Sequence, residues 1–161
     1  MSEKRIIQTV LKNISSTETY AVRHPVLRQG KPIETCSFEG DLHPESLHLG
    51  VYANNRLVGV ASYLKNNHAD FSGEQYQLRG MAVLPEFQQN GFGEMLFKAG
   101  ENQLREKKAN ILWFNAREIA KNFYLKQNCK VIGQPYEIKG VGMHFLMVKE
   151  IVPSLNSNGI K

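Results

Sequence analysis

Along most of this chain, apolar residues sit in short β-rich blocks, and at two places they fall into helical spacing. Arg5–Leu11 predicts a first strand. Ser15-Ser16-Thr17-Glu18 has the form of a capping box, with Ser15 as N-cap and Glu18 three residues on, so a helix follows to Arg23 or His24. Pro25 then ends or kinks it, because proline lacks a donor and clashes with the preceding turn. Leu47–Ala53 and Leu57–Leu64 read as a hairpin around Asn54-Asn55-Arg56, since asparagine tolerates positive φ. Tyr76–Leu84 is a further strand, stopped by Pro85. Gly91–Lys108 predicts a helix with Met95, Leu96, Ala99 and Leu104 along one side. Asn110–Phe114 is a short buried strand, and Glu118–Gln127 a second helix with Ile119, Ala120, Phe123 and Tyr124 on one face. Asn128 suits a left-handed C-terminal cap. Lys130–Gly133 and Val141–Lys149 close the chain as strands. Early hairpins followed by strand–helix–strand units predict an α/β protein with a mixed sheet and helices on its faces.

Neither repeats nor low-complexity tracts interrupt the pattern, so residues 1–152 are expected to form a single domain. The polar segment 153–161 is expected to be a frayed tail. A length of 161 residues suits one domain, and 42% hydrophobic with 22% charged residues is ordinary for a globular core. No run approaches a membrane span, and Met1–Lys12 lacks a signal peptide's apolar stretch, so a cytoplasmic protein without a membrane partner is expected. Cys36 and Cys129 are far apart and belong to no Cys/His cluster, which argues for reduced thiols and against a metal. The formal net charge of +5 comes from scattered bases. That argues against nucleic acid and suits a small anionic ligand.

Gln88-Gln89-Asn90-Gly91-Phe92-Gly93-Glu94 joins a strand to a helix. Its glycines allow a tight turn, and a helix N-terminus supplies unpaired N–H groups and a positive dipole end, a combination suited to pyrophosphate. A P-loop is excluded, because Glu94 and Met95 follow Gly93 where Lys-Ser/Thr is needed. A dinucleotide fingerprint is excluded because Leu96 stands where the third small residue belongs. A plain turn opening a helix is the alternative.

With its neighbours, "AVLPEFQQNGFGEMLF" resembles the acetyl-CoA-binding motif of the GNAT acetyltransferases, Gln/Arg-x-x-Gly-x-Gly/Ala, at Gln88–Gly93. The later "NAREIAKNFYLKQNCKVIG" resembles that family's second motif, a strand-end Asn followed by a helix carrying Phe-Tyr. The resemblance implies the GNAT fold, a mostly antiparallel twisted sheet flanked by helices, and acetyl-CoA as cosubstrate. It implies that Met81 and Val83 offer backbone groups to the pantetheine arm and that amides near Gln89–Glu94 hold the pyrophosphate. Asn115 would touch the cofactor, and Tyr124 would lie beside its sulfur. The chain departs from the family in carrying Asn128-Cys129 where Gly-Phe is usual.

A closer resemblance runs from Glu18 to Lys149, to the glyphosate N-acetyltransferase type of GNAT enzyme. It is carried by "TYAVRHPVLR", "HLGVYANNRLVGVAS", "QYQLRGMAVL", "LWFNAR" and "VGMHFLM". It implies that Arg28, Arg79 and Arg117 hold a small acidic amino-acid-like amine and that His144 is the base. Met143 replaces a proline common in that type. The residues agree with this physically. Arg79 lies within an apolar strand and must meet an anion, whether a substrate or an internal carboxylate. Arg117 ends a strand, where functional loops begin, and Arg28 follows the first helix. Either could equally be a solvated charge. Three planar forks suit a ligand with at least two acidic oxygens. His144 could instead be a packed strand residue, and Tyr124 simply core.

The implied reaction is attack of an amine on the thioester, with proton removal by an imidazole. Strand N–H groups near Met81–Ala82 would stabilise the oxyanion, and Tyr124 would serve the leaving thiolate. A protein or peptide N-acetyltransferase and a non-catalytic acyl-CoA sensor remain as alternatives.

Overall fold

The computed structural model describes residues 6–153. The chain runs β1 (Thr9–Asn13), α1 (Tyr20–Leu27), β2 (Leu47–Ala53), β3 (Arg56–Lys65), β4 (Gln75–Val83), α2 (Phe92–Glu106), β5 (Ile111–Arg117), α3 (Lys121–Lys126), β6 (Lys130–Ile138) and β7 (Gly142–Glu150). The strands form one sheet in the order β1-β2-β3-β4-β5-β7-β6. All neighbours are antiparallel except β4 and β5. Asn54 and Asn55 take φ of 50° and 70°, the mirror-image turn whose twist matches a two-residue hairpin between β2 and β3.

Adjacent residues of β3 show how the helices divide between the sheet's faces, because successive side chains of a strand point oppositely. The Ser62 hydroxyl accepts from Arg23 of α1 at 2.7 Å, while the Tyr63 hydroxyl donates to Leu96 O of α2 at 2.8 Å. Phe97, Leu104, Leu112, Phe114 and Met147 build the core under α2.

Pairing of β4 with β5 is short. Only Gln75–Gln77 meet Ile111–Trp113. Beyond that, β4 keeps to β3 and β5 to β7, and a seam opens between them. A bulge helps β4 turn away: β3 and β4 pair Ser62 with Arg79 but Val60 with Ala82, so Ala61 faces two residues. One of them is Gly80, at φ 68°, where a Cβ would lie 3.0 Å from the Phe38 ring and 3.2 Å from Arg23 Nε.

Several expectations are corrected. The first strand is Thr9–Asn13, and the part of the expected strand at Arg5 lies outside the described residues, as does the tail from 154. The Ser15–Glu18 capping box forms, with bonds of 3.1 and 2.9 Å, but it opens a 3-10 turn over Thr17–Thr19 before α1 begins. Pro25 does not stop α1, which continues to Leu27. A proline inside a helix costs about 3 kcal/mol, offset here by burial of Val22 and Arg23. Met95 is 37% exposed, and Phe92, Leu96, Phe97 and Gly100 take the buried side of α2. Ile119 is 90% exposed because Glu118–Ala120 form a 3-10 turn, so the 3.6-residue phase does not extend through it. Strand β6 runs on from Gly133 to Ile138.

Candidate active site

The seam is lined on one side by peptide groups of β4. Leu84 N donates to Val58 O at 2.8 Å, on the β3 side. Alternation therefore turns the Ala82 N–H toward β3 and the Met81 and Val83 groups toward the seam. Val83 O accepts from Gln88 Nε2 at 3.0 Å.

At the end of β4 the chain turns into α2 through a cavity of about 490 Å3. Val83, Gln88, Gln89, Gly91, Gly93 and Glu94 line it, and Lys126 of α3 adds a cation. Phe92 also lines it, although its ring is buried in the core. Gly91 is the N-cap of α2 at φ 78°, and no side chain caps the helix. The first helical bond is Met95 N to Gly91 O, so the N–H groups of Phe92, Gly93 and Glu94 have no partner within α2. A left-handed residue followed by a helical one makes consecutive N–H groups converge into an anion nest. Gln89, at φ 65°, holds the same strained region without being glycine. These features fit a pyrophosphate. Asn90 and Ala82 stand apart from the cavity wall; the Asn90 amide is tied to Phe87 O at 3.0 Å.

Gly91 tests the cradle. A Cβ there meets no atom within 4 Å, so space is not the constraint, but φ 78° is strained for any other residue. Gly91→Val is expected to lower stability by about 1–2 kcal/mol and to weaken acetyl-CoA binding in calorimetry. Unchanged affinity would remove the cradle from the cofactor site.

A second cavity, about 420 Å3, occupies the seam itself. Arg79, Met81, Asn115, Arg117, Tyr124 and His144 all line it. His144 is buried, 6% exposed, and paired between Arg117 of β5 and Tyr136 of β6. Its Nδ1 lies 2.9 Å from Gly142 O. A carbonyl only accepts, so Nδ1 carries a proton, and in the neutral ring Nε2 then presents its lone pair. Register sets Asn115, Arg117 and His144 on one sheet face, while Phe114, Ala116, Phe145 and Met147 join the core on the other. Tyr124 stands on that core side, 4.4 Å from the Phe114 ring centroid. Burial pushes its phenol well above its ordinary value, so it stays protonated.

Arg79 is half-buried, and burial, with Arg28 and Arg23 nearby, lowers its pKa. The ion pairs among the described residues include none of Arg28, Arg79 or Arg117. The expected internal carboxylate exists, but Arg23 has it. Asp41 pairs with Arg23 through bonds of 2.7 and 3.0 Å, and Arg23 also donates to Cys36 O and Ser62 Oγ. Three guanidiniums surround the Phe38 ring, with Arg23, Arg79 and Arg28 at 4.0, 4.2 and 5.2 Å from its centroid. Arg28 lies outside the seam cavity and is tied to Thr35 O and Leu27 O. Sequence reasoning missed Phe38, Asp41, Lys126 and Tyr136. Of these, only Lys126, inside the quoted second motif, carried a local signal.

The acetyltransferase (GNAT) family profile matches residues 11–128. The chain belongs to the GNAT family of acetyltransferases. An uncharacterized N-acetyltransferase of Bacillus subtilis (strain 168), YitI, is 35% identical over 142 residues, spanning 88% of this chain and 95% of the relative. The fold is also that of an aminoglycoside 6'-N-acetyltransferase solved with coenzyme A, with a TM-score of 0.71 at 13% identity over 91% of this chain and 99% of that one. The ribosomal-protein-S18-alanine N-acetyltransferase of Escherichia coli aligns with a TM-score of 0.70 at 17% identity, over 94% and 98% of the two chains. This GNAT enzyme is therefore an acetyl-CoA-dependent acyltransferase acting on an amine. No helix among its described residues is long and apolar enough to cross a membrane.

Proposed function

We propose that this acetyltransferase acetylates the amine of a small acidic, amino-acid-like substrate bearing a carboxylate or phosphonate, in the cytoplasm. One observation carries the reading: Arg79 and Arg117 line the same cavity as His144, and neither is paired with a carboxylate among the described residues. Packing like charges beside one another is unfavourable unless an anion joins them. The planar fork of Arg79, held over the Phe38 ring, suits a two-oxygen anion.

Acetyl-CoA supplies the activated acetyl group. The cradle amides of Phe92, Gly93 and Glu94, with Lys126, hold its phosphates, and the seam-facing groups of Met81 and Val83 hold its pantetheine arm. The arginines orient the acceptor. His144 takes the ammonium proton at Nε2, the nitrogen left free by the bond to Gly142 O. Tyr124 stays protonated and donates a hydrogen bond to the departing sulfur, which takes its proton from solvent. Its position among core rings, facing the cavity, suits that task.

Specificity constants for an acidic and a neutral amino acid, on wild type and Arg79→Ala, test the reading. The acidic substrate is expected to lose about 2–5 kcal/mol of transition-state binding, and the neutral one little. Arg79→Lys should restore part of the loss. Equal losses for both would make Arg79 a structural residue. Turnover of peptide N-termini without turnover of small acids would favour a protein N-acetyltransferase.

A further inference from the structure

We infer that Tyr136 and Asn115 form a positioning pair for His144, an assignment that rests on His144 as the base. Across β7, Tyr136 is the residue directly opposite His144, and the two rings stack with centroids 6.0 Å apart and planes 29° from parallel. The Tyr136 hydroxyl donates to Asn115 Oδ1, two strands away on β5. Asn115 lies two residues before Arg117 on the same face. The ring is therefore tethered at its far end and lies against the imidazole.

The backbone of β6 is irregular at the place that makes this contact. Ile132 pairs with Leu146 and Tyr136 with His144, so four residues of β6 span two of β7. The extra length lies at Gly133-Gln134-Pro135, where Gly133 takes φ 74°. Without it, Gln134 would stand opposite His144. Bulges beside active sites commonly re-aim a side chain, and this one exchanges an amide for an aromatic ring.

The pair acts in three ways. The ring blocks rotation of the imidazole, whose one side-chain hydrogen bond among the described residues is to Gly142 O. Its π face stabilises the imidazolium that forms when Nε2 takes a proton. Burial raises the Tyr136 phenol, so it remains a donor and the Asn115 bond persists. Asn115 is then spent on Tyr136 and not on the cofactor, the role that family resemblance implies for it.

Steady-state kinetics of Tyr136→Phe, Tyr136→Leu, Asn115→Ala and the Tyr136→Phe/Asn115→Ala double variant test the inference, with ¹⁵N NMR of the His144 ring. Tyr136→Phe and Asn115→Ala are expected to lower kcat by roughly 10–100-fold, the cost of a slightly misplaced base. The KM for acetyl-CoA should not move. The double variant should be no worse than either single one, since both break one link. Tyr136→Leu should fall further, and the Nδ1–H tautomer should lose its dominance in the spectrum. A raised acetyl-CoA KM in Asn115→Ala, with kcat intact, would overturn the assignment, as would wild-type kcat in both single variants. If His144→Ala itself keeps normal turnover, the base reading fails. The tautomer measurement still reports whether Tyr136 orients the ring.

Discussion

His144→Ala is expected to lower kcat by roughly two to four powers of ten near pH 7, the weight of a general base. Acetyl-CoA affinity should barely change, because the cradle lies at the α2 N-terminus and His144 does not line it. Among groups lining the seam, an arginine side chain offers donors and no acceptor, and Tyr124 is held protonated by burial. No other lining side chain there can take a proton at neutral pH. Tyr124→Phe should cost less, since water can protonate a thiolate. Pre-steady-state turnover with an acidic amino acid is the decisive measurement. Normal turnover in His144→Ala would mean that an ordered water chain serves as base.

Asp41→Asn is expected to destabilise the fold by about 3–5 kcal/mol, the cost of leaving a buried charge without its partner. Both side chains are almost wholly out of water, at 0% and 3% exposed, and Arg23 Nε has no hydrogen-bond partner among the described residues. The substitution keeps the shape, removes the compensating charge and puts an amide donor in place of one of the two accepting oxygens. Urea unfolding followed by circular dichroism should show the midpoint falling with an unchanged slope. A loss below 1 kcal/mol would show that water reaches Arg23. The damage should extend to the site, because the same carboxylate accepts from Phe38 N at 2.9 Å and so steadies the ring on which Arg79 rests. Acidic substrates should therefore lose more specificity than neutral ones in whatever fraction stays folded.

Sequence legibility followed the range of the interactions. The Asn54-Asn55 hairpin and the Asn128 cap, at φ 66°, were readable because they depend on one or two residues' backbone preferences. The loop before α2 was readable because its glycines are local requirements. Arg79 was conspicuous as a charge inside an apolar strand. Phe38 and Asp41 gave no signal. They sit in an irregular stretch, and the groups they meet lie on other elements: Arg23, 18 residues before Asp41, and Arg79 of β4 over the Phe38 ring. Pro25 misled because burial of Arg23 outweighed a local penalty. The end of β6 was misplaced because Gly133 and Pro135 resemble a turn when they are a bulge within a strand.

That bulge has a second consequence, for solubility. Strand β6 is an outer edge of the sheet, so one side of its backbone has no neighbouring strand among the described residues. A long, flat edge of this kind invites pairing with another molecule, the first step toward aggregation. Here the edge is broken by a left-handed glycine and by a proline that offers no N–H. The charged Lys130 and Glu137, both exposed, stand on either side. A foreign strand could match this edge for only a few residues before its register failed. The irregularity that aims an aromatic ring at His144 thus also guards the border of the sheet, and straightening β6 would forfeit both.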